Sequence, residues 1–305
     1  MTKTEKPQDP HTRITDRILA ELEQGVRPWL KPWSSDALAG RVTRPLRATG
    51  EPYRGINVIL LWMEAVASGY ASPTWMTYRQ AQALGAQVRK GERGAPVVYY
   101  GSSTSTKQDE HTGEEREEGF RFLKSYTVFN IEQIDGLPDR YAPQPIDPPA
   151  PAFERIERAE AFFATIPADV RHGGNRAFYS VTDDRIQLPP FEAFHDAEGY
   201  YATRGHETIH WTRHESRLDR SFGRKTWGDE GYAREELVAE LGAAFLAADL
   251  GLALTPRPDH AAYIASWIQV LQNDKRAIVQ AAAHAERAVA YLHQTANPQA
   301  MLEAA

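Results

Sequence analysis

With 305 residues, 42% of them hydrophobic and 25% charged, the chain is long enough for two packed domains and too apolar for a disordered polymer. The absence of cysteine excludes disulfides and thiolate metal sites, leaving histidine and carboxylates as the strong metal ligands. A formal charge of −6 argues against a generally basic nucleic-acid binder, and no apolar run approaches the ~20 residues of a membrane span.

The polar opening MTKTEKPQDPHTR lacks the apolar stretch of a secretory signal, so a cytoplasmic protein with no membrane association is expected. Ile14, Ile18, Leu19 and Leu22 recur at helical spacing, and Asn57 is placed to cap a helix through 57–69. TYRQAQALGA (77–86) predicts a short helix closed by Gly85. Two strands follow, APVVYY (95–100) and FRFLKSYTVF (120–129), joined by the polar, acidic segment 101–119, which reads as a mobile loop. YAPQPIDPPAPA (141–152), with five prolines in twelve residues, forbids regular structure. It is expected to be a linker that insulates a domain over 1–140 from one over 153–305. The second half predicts a helix from Phe153 to Ile166, strands in AFYSV (177–181) and RIQLPP (185–190), and helices through 206–213, 233–250 and within 259–294. The sum is an α+β chain of two domains, the first a mixed α/β domain.

His206-Glu207-Thr208-Ile209-His210 fits H-E-x-x-H. On a helix, residues four apart share a face, so both imidazoles reach one ion with Glu207 beside it as catalytic base. A catalytic zinc takes three protein ligands and keeps a fourth position for water. The downstream stretch AREELVAELGAAFLAADLGL offers Glu236 and Glu240 on one face, with Glu235 about 100° away. Glu236 is assigned as third ligand and Glu240 as acceptor from a ligand histidine's N–H; the reverse assignment remains open. Zn²⁺ is the expected ion, with Mn²⁺ or Co²⁺ suited to the same N/O donors. Tyr232, His214, His260 and Tyr263 are candidate transition-state donors, none of them assigned. AFYSV or RIQLP is expected to supply an edge strand for a peptide substrate.

Charge is unevenly spread. Residues 1–140 hold 19 Lys and Arg against 18 Asp and Glu, but segment 107–118 alone contributes six of those acids. The rest of the first half is therefore net basic, and RPWLKPW, PYRGIN, TWMTYRQ and VRKGERG mix aromatic with basic or amide side chains. Such mixtures hold single-stranded nucleic acid by stacking bases and tracking phosphates.

Taken together, RPWLKPW, YRGIN, W-x-T-Y-R-Q-A, GAQVRKGERG, YTVFNIEQIDGLP, D-R-I-Q-L-P, HETIHWT-x-H-x-x-R-L-x-R and EELVAELGAAFL resemble the plasmid-borne ArdC-type antirestriction proteins, from about residue 11 to about 290. Similar N-terminal domains occur in plasmid primase-like TraC proteins. The resemblance implies an N-terminal domain that binds single-stranded DNA, a C-terminal gluzincin-like metallopeptidase domain, and protection of incoming conjugative plasmid DNA from host restriction. Within the matching motifs, Arg54, Asn57, Trp75, Tyr78, Lys90 and Arg93 are chosen on chemical grounds as DNA contacts. Asn57 reads equally as a helix cap, Trp75 as a core residue, and the glycines of RKGERG as a plain turn. Two alternatives stand beside this reading: a DNA-binding protein whose metal site is structural or vestigial, and a cytoplasmic zinc peptidase whose first half binds protein. Neither the oligomeric state nor the peptide substrate is encoded in these motifs.

Overall fold

A computed structural model describes residues 8–30, 42–108, 115–142, 152–223, 230–252 and 261–297. Helix α1 (Pro10–Leu22) opens on Asp9, whose side chain accepts from the Thr12 N–H, and proline occupies its first turn, where no N–H is needed. Strand β1 (Leu46–Arg47) leads to helix α2 (Ile56–Ser68), which ends at Gly69 in the left-handed conformation. Strand β2 (Thr74–Met76) is followed by helix α3 (Tyr78–Ala83), where Thr77 and Gln80 form a reciprocal capping box. Strands β3 (Gln87–Val88), β4 (Ala95–Gln108), β5 (Glu115–Asn130) and β6 (Ile134–Asp135) complete the first half.

The main sheet has the order β1-β2-β5-β4, and β3 pairs with β6 in a separate two-stranded ribbon. The β4–β5 register runs unbroken from Ala95↔Val128 to Gln108↔Glu115. Most of the expected acidic loop is therefore hairpin, because Ser and Thr in 102–106 suit extended backbone as well as they suit turns. Asn57 lies inside α2 and does not cap it, the N-cap being Gly55. Its amide donates to Val98 O and accepts from Val98 N, both at 2.8 Å, and so fastens α2 to β4.

The second half begins with helix α4 (Ala152–Ala164) and a three-stranded sheet of β7 (Asp169–His172), β8 (Phe178–Ser180) and β9 (Arg185–Leu188) in the order β7-β9-β8. Helix α5 (Ala197–Trp211) starts nine residues before His206, on Asp196, whose carboxylate accepts from Gly199 N at 2.6 Å. Helices α6 (Glu230–Leu250), α7 (Ala261–Asn273) and α8 (Ala277–Ala296) follow. α5 packs on β8 and β9 and against α6, which also packs on α7 and α8. A Cβ at Gly242 would stand 2.9 Å from Ile209, so the bare glycine lets α6 close on α5 at the level of the motif. Among the described residues, no helix is long and apolar enough to cross a membrane.

The expected insulation between halves is not observed. One hydrophobic core contains residues of α1 and α2 together with residues of α5 to α8. α2 buries eight of its thirteen residues, too broad an apolar surface for β4 alone; α8 packs on it as well, and Trp62 meets Phe245 of α6. Arg44, nearly buried, forks onto Asp249 at 2.7 and 2.9 Å and onto Glu286 at 2.8 and 3.0 Å. Thr15 Oγ1 donates to Lys275 O at 2.7 Å. Most of the proline-rich segment, 143–151, lies outside the described residues.

Candidate metal centre

Helical spacing places His206 and His210 one turn apart on α5, facing α6. Their Nε2 atoms are 3.2 Å apart. Glu236 approaches both, with Oε2 at 3.5 Å from His206 Nε2 and Oε1 at 3.5 Å from His210 Nε2. Three donors around a tetrahedral ion at ordinary Zn–N and Zn–O bond lengths stand ~3.4 Å from one another, so the three side chains fit such an ion as they lie. The three residues are buried, as are Glu207, Glu235 and Glu240, and this density of carboxylates in a dry interior favours a cation.

The charges of the site hold each other in place. Burial alone lowers the pKa of His210, but Glu236 and Glu235 outweigh it and carry the imidazole up to about 10. Burial opposes ionisation of Glu235, yet Arg220 and then His210 hold it down to about 2. Glu236 is likewise held well below the usual carboxylate range by His210 and His206 against its own burial.

Glu235, set aside on its angular position, is the carboxylate that receives His210 Nδ1, at 3.0 Å. It is gripped in turn by Arg220, which donates from Nε to Oε2 at 2.9 Å and from Nη2 to Oε1 at 2.7 Å. Glu240 faces the other histidine, Oε1 to His206 Nδ1, at 3.7 Å, longer than a hydrogen bond. Two histidines one turn apart present their far nitrogens in different directions, so a single helical face of α6 does not serve both. The sequence signal for Glu235 was Arg220 in the R-L-x-R motif, a cation that is buried and needs a carboxylate. Of the candidate donors, the Tyr232 hydroxyl is 3.1 Å from that of Tyr263, and its pKa is raised by burial first and then by the Glu236 charge. His214 Nδ1 is instead bonded to Ser216 at 2.8 Å, and His260 lies outside the described residues.

The DNA-contact candidates divide. Arg54, Lys90 and Arg93 are exposed, and Tyr78 is 40% exposed with its ring edge against Phe129. Trp75 is 1% exposed and packs edge-on against Tyr70, so it has no face to offer a base: it is a core residue. Asn57 spends its amide on Val98 and is structural too. Gly91 has φ +92° in a tight turn, and Gly94 lies directly against Thr127 and Val128, so the glycines of RKGERG are accounted for by the backbone. What the motif reading missed is on the hairpin. Tyr99 (59% exposed) pairs with Lys124, and Val97 with Tyr126 (39% exposed), which sets both tyrosines and the lysine on one face. Lys124 Nζ stands 4.8 Å over the Phe122 ring on that same face. Only the pairing register brings these residues together, and it is not visible in either strand alone.

This helix pair on a small sheet, with two histidines and a glutamate converging, defines a zincin-like metallopeptidase domain joined to a second domain through a common core. Family comparison agrees: residues 157–284 match the zincin-like metallopeptidase family, and residues 8–129 match the N-terminal domain of anti-restriction factor ArdC. The crystal structure of the antirestriction ArdC protein from plasmid R388 in its metal-free form is similar with a TM-score of 0.79 and 46% identity, covering 95% of this chain and 99% of that one. Its Mn(II)-bound form gives 0.77 and 44%, covering 95% and 98%. The uncharacterized protein y4eC of Sinorhizobium fredii is 44% identical over 96% of this chain and 95% of its own length. Two Escherichia coli DNA primases named TraC are 42% and 39% identical over 94% and 92% of this chain, which spans only 27% and 20% of the primases. The chain belongs to the ArdC antirestriction protein family.

Proposed function

We propose that this chain is an antirestriction protein that binds single-stranded DNA through its N-terminal half and carries a zinc-dependent peptidase centre in its C-terminal half, protecting conjugating plasmid DNA as it enters a restricting host. The observation that carries the reading is the convergence of His206, His210 and Glu236, at 3.2 to 3.5 Å from one another, one residue from Glu207. A bound divalent cation, Zn²⁺ or the Mn²⁺ for which the R388 relative gives a precedent, supplies Lewis acidity and makes water acidic at neutral pH. Glu207 takes a proton from the attacking water and delivers it to the leaving nitrogen as the peptide C–N bond breaks. β9 is paired on both sides and offers no edge, whereas β8 is an edge strand packed on α5, so β8 is the strand along which an extended substrate would align.

For DNA, the exposed side chains of Tyr99 and Tyr126 share a sheet face with Lys124, and Arg54, Tyr78, Lys90 and Arg93 supply further solvent-facing contacts. Shielding requires only occupancy of the DNA, so protection should depend first on this half. Conjugation into a restricting host tests it, using wild type, Glu207→Gln and the Tyr99→Ala/Tyr126→Ala pair. The reading expects Glu207→Gln to keep most protection and the pair to lose it. Loss with Glu207→Gln, in a folded and metal-loaded protein, would make proteolysis the protective step.

A further inference from the structure

The first half of the chain reaches the wall of the metal centre. Trp29, just beyond α1, is completely buried, and its indole N–H donates to Glu240 Oε2 at 3.2 Å. Arg27 Nη1 lies 3.8 Å from the same oxygen. The other oxygen of that carboxylate, Oε1, is the one that faces His206 Nδ1 at 3.7 Å. Glu240 thus stands between residues 27–29 and the first histidine of the motif. A second line of contact runs from the same indole. Trp29 meets Trp267 edge-on at 5.5 Å, Trp267 stacks on Tyr263 at 6.0 Å, and the Tyr263 hydroxyl bonds that of Tyr232. Tyr232 sits one turn before Glu236 on α6.

We infer that Trp29, assisted by Arg27, is a positioning residue for the metal centre: it fixes the Glu240 carboxylate, which in turn orients His206 toward the ion. The inference rests on the reading of His206, His210 and Glu236 as metal ligands. A buried indole N–H needs an acceptor, and Glu240 supplies it. The donor draws one oxygen of Glu240 to Trp29 while the other faces His206; deleting the N–H removes that restraint on the carboxylate and, through it, on the ring. Partners that orient ligand histidines act on metal affinity, not only on folding. The half that the family comparison separates from the peptidase domain therefore completes its metal site.

The test is Mn²⁺ affinity of the full chain, measured by titration with electron paramagnetic resonance of the free ion. Trp29→Phe keeps a ring against Trp267 and deletes the N–H. Glu240→Gln should weaken Mn²⁺ binding ~10- to 100-fold and Trp29→Phe up to ~10-fold, as expected for groups that orient a ligand. On the Glu240→Gln background, Trp29→Phe should cause no further loss. Wild-type affinity in Trp29→Phe, or an equal loss on both backgrounds, overturns the inference, since either makes the indole a packing residue only. If Trp29→Phe does not fold, Arg27→Met carries the same comparison: weaker binding that vanishes on the Glu240→Gln background supports the inference, and unchanged binding overturns it. Failure of the wild type itself to take up Mn²⁺ or Zn²⁺ would instead remove the metal assignment, and this inference with it.

Discussion

Arg220→Met isolates the buried ion network behind His210. Arg220 makes four hydrogen bonds, two to Glu235, one to Thr212 Oγ1 at 3.0 Å and one to Ile209 O at 3.0 Å, and the side chains of Arg220 and Glu235 are 2% and 1% exposed. Methionine fills similar volume but takes from the buried Glu235 carboxylate its two-bond cation, leaving His210 at 3.0 Å and Arg213 at 4.0 Å. Breaking one side of such a pair costs about 3–5 kcal/mol. Removing both charges is far milder: in Arg220→Met/Glu235→Met, Thr212 Oγ1 and Ile209 O still bond each other, and the groups that lose a partner are the His210 N–H and Arg213, 4.0 Å from Glu235. Each of those lost bonds is worth about 1 kcal/mol, and the apolar replacement offsets part of that. Urea unfolding followed by tryptophan fluorescence, in the presence of a chelator, should place the double variant closer to wild type than the single one. The same double variant should bind Mn²⁺ more weakly, because His210 has lost the carboxylate that orients it. A cost below about 1 kcal/mol for Arg220→Met, or a double variant as unstable as the single, would refute the buried-charge reasoning.

Gly242→Ala should destabilise the protein by about 1–3 kcal/mol, since the new methyl meets Ile209 at 2.9 Å, and Ile209→Val in the same chain should recover part of the loss; thermal melts check both. His284 accepts from Arg287 at 2.8 Å, and burial, Arg287 and Arg220 lower its pKa from 6.5 to about 4. Its contribution to stability is therefore complete above about pH 6.5 and is lost as pH falls toward 4, so His284→Gln should flatten the melting temperature between those values. The full chain should bind single-stranded DNA more tightly than duplex, with the logarithm of the affinity falling linearly with log salt. Tyr99→Ala and Tyr126→Ala should each cost ~1–3 kcal/mol of that binding, as for loss of a stacked base, and equal loss on duplex and single strand would count against stacking.

The elements that were legible in the sequence are those whose signal is local. H-E-x-x-H and the glutamates that follow define the site because helical periodicity alone sets which side chains share a face. α3 was visible in the stretch 77–86 and its closing Gly85, whose φ is +76°. Apart from the acidic loop, whose residues pair with their neighbours in a hairpin, the misreadings depend on partners distant in the chain. Trp75 has the composition of a stacking residue, but β2 pairs on both sides and buries it. Glu235 looked misdirected until two histidines one turn apart were seen to need carboxylates on different lines. The prolines of 141–152 suggested independent halves, whereas the broad apolar surface of α2 requires α8 as well as β4. Tyr99, Lys124 and Tyr126 become a face only through the β4–β5 register.

The most direct test of the central claim is the divalent-metal content of the purified full chain by elemental analysis, for wild type, His206→Ala, His210→Ala and Glu207→Gln. The account predicts about one ion per chain in the wild type and in Glu207→Gln, and none retained in either histidine variant. Loss of metal in Glu207→Gln as complete as in the histidine variants would contradict the separation of base from ligands, and retention in both histidine variants would contradict the site itself.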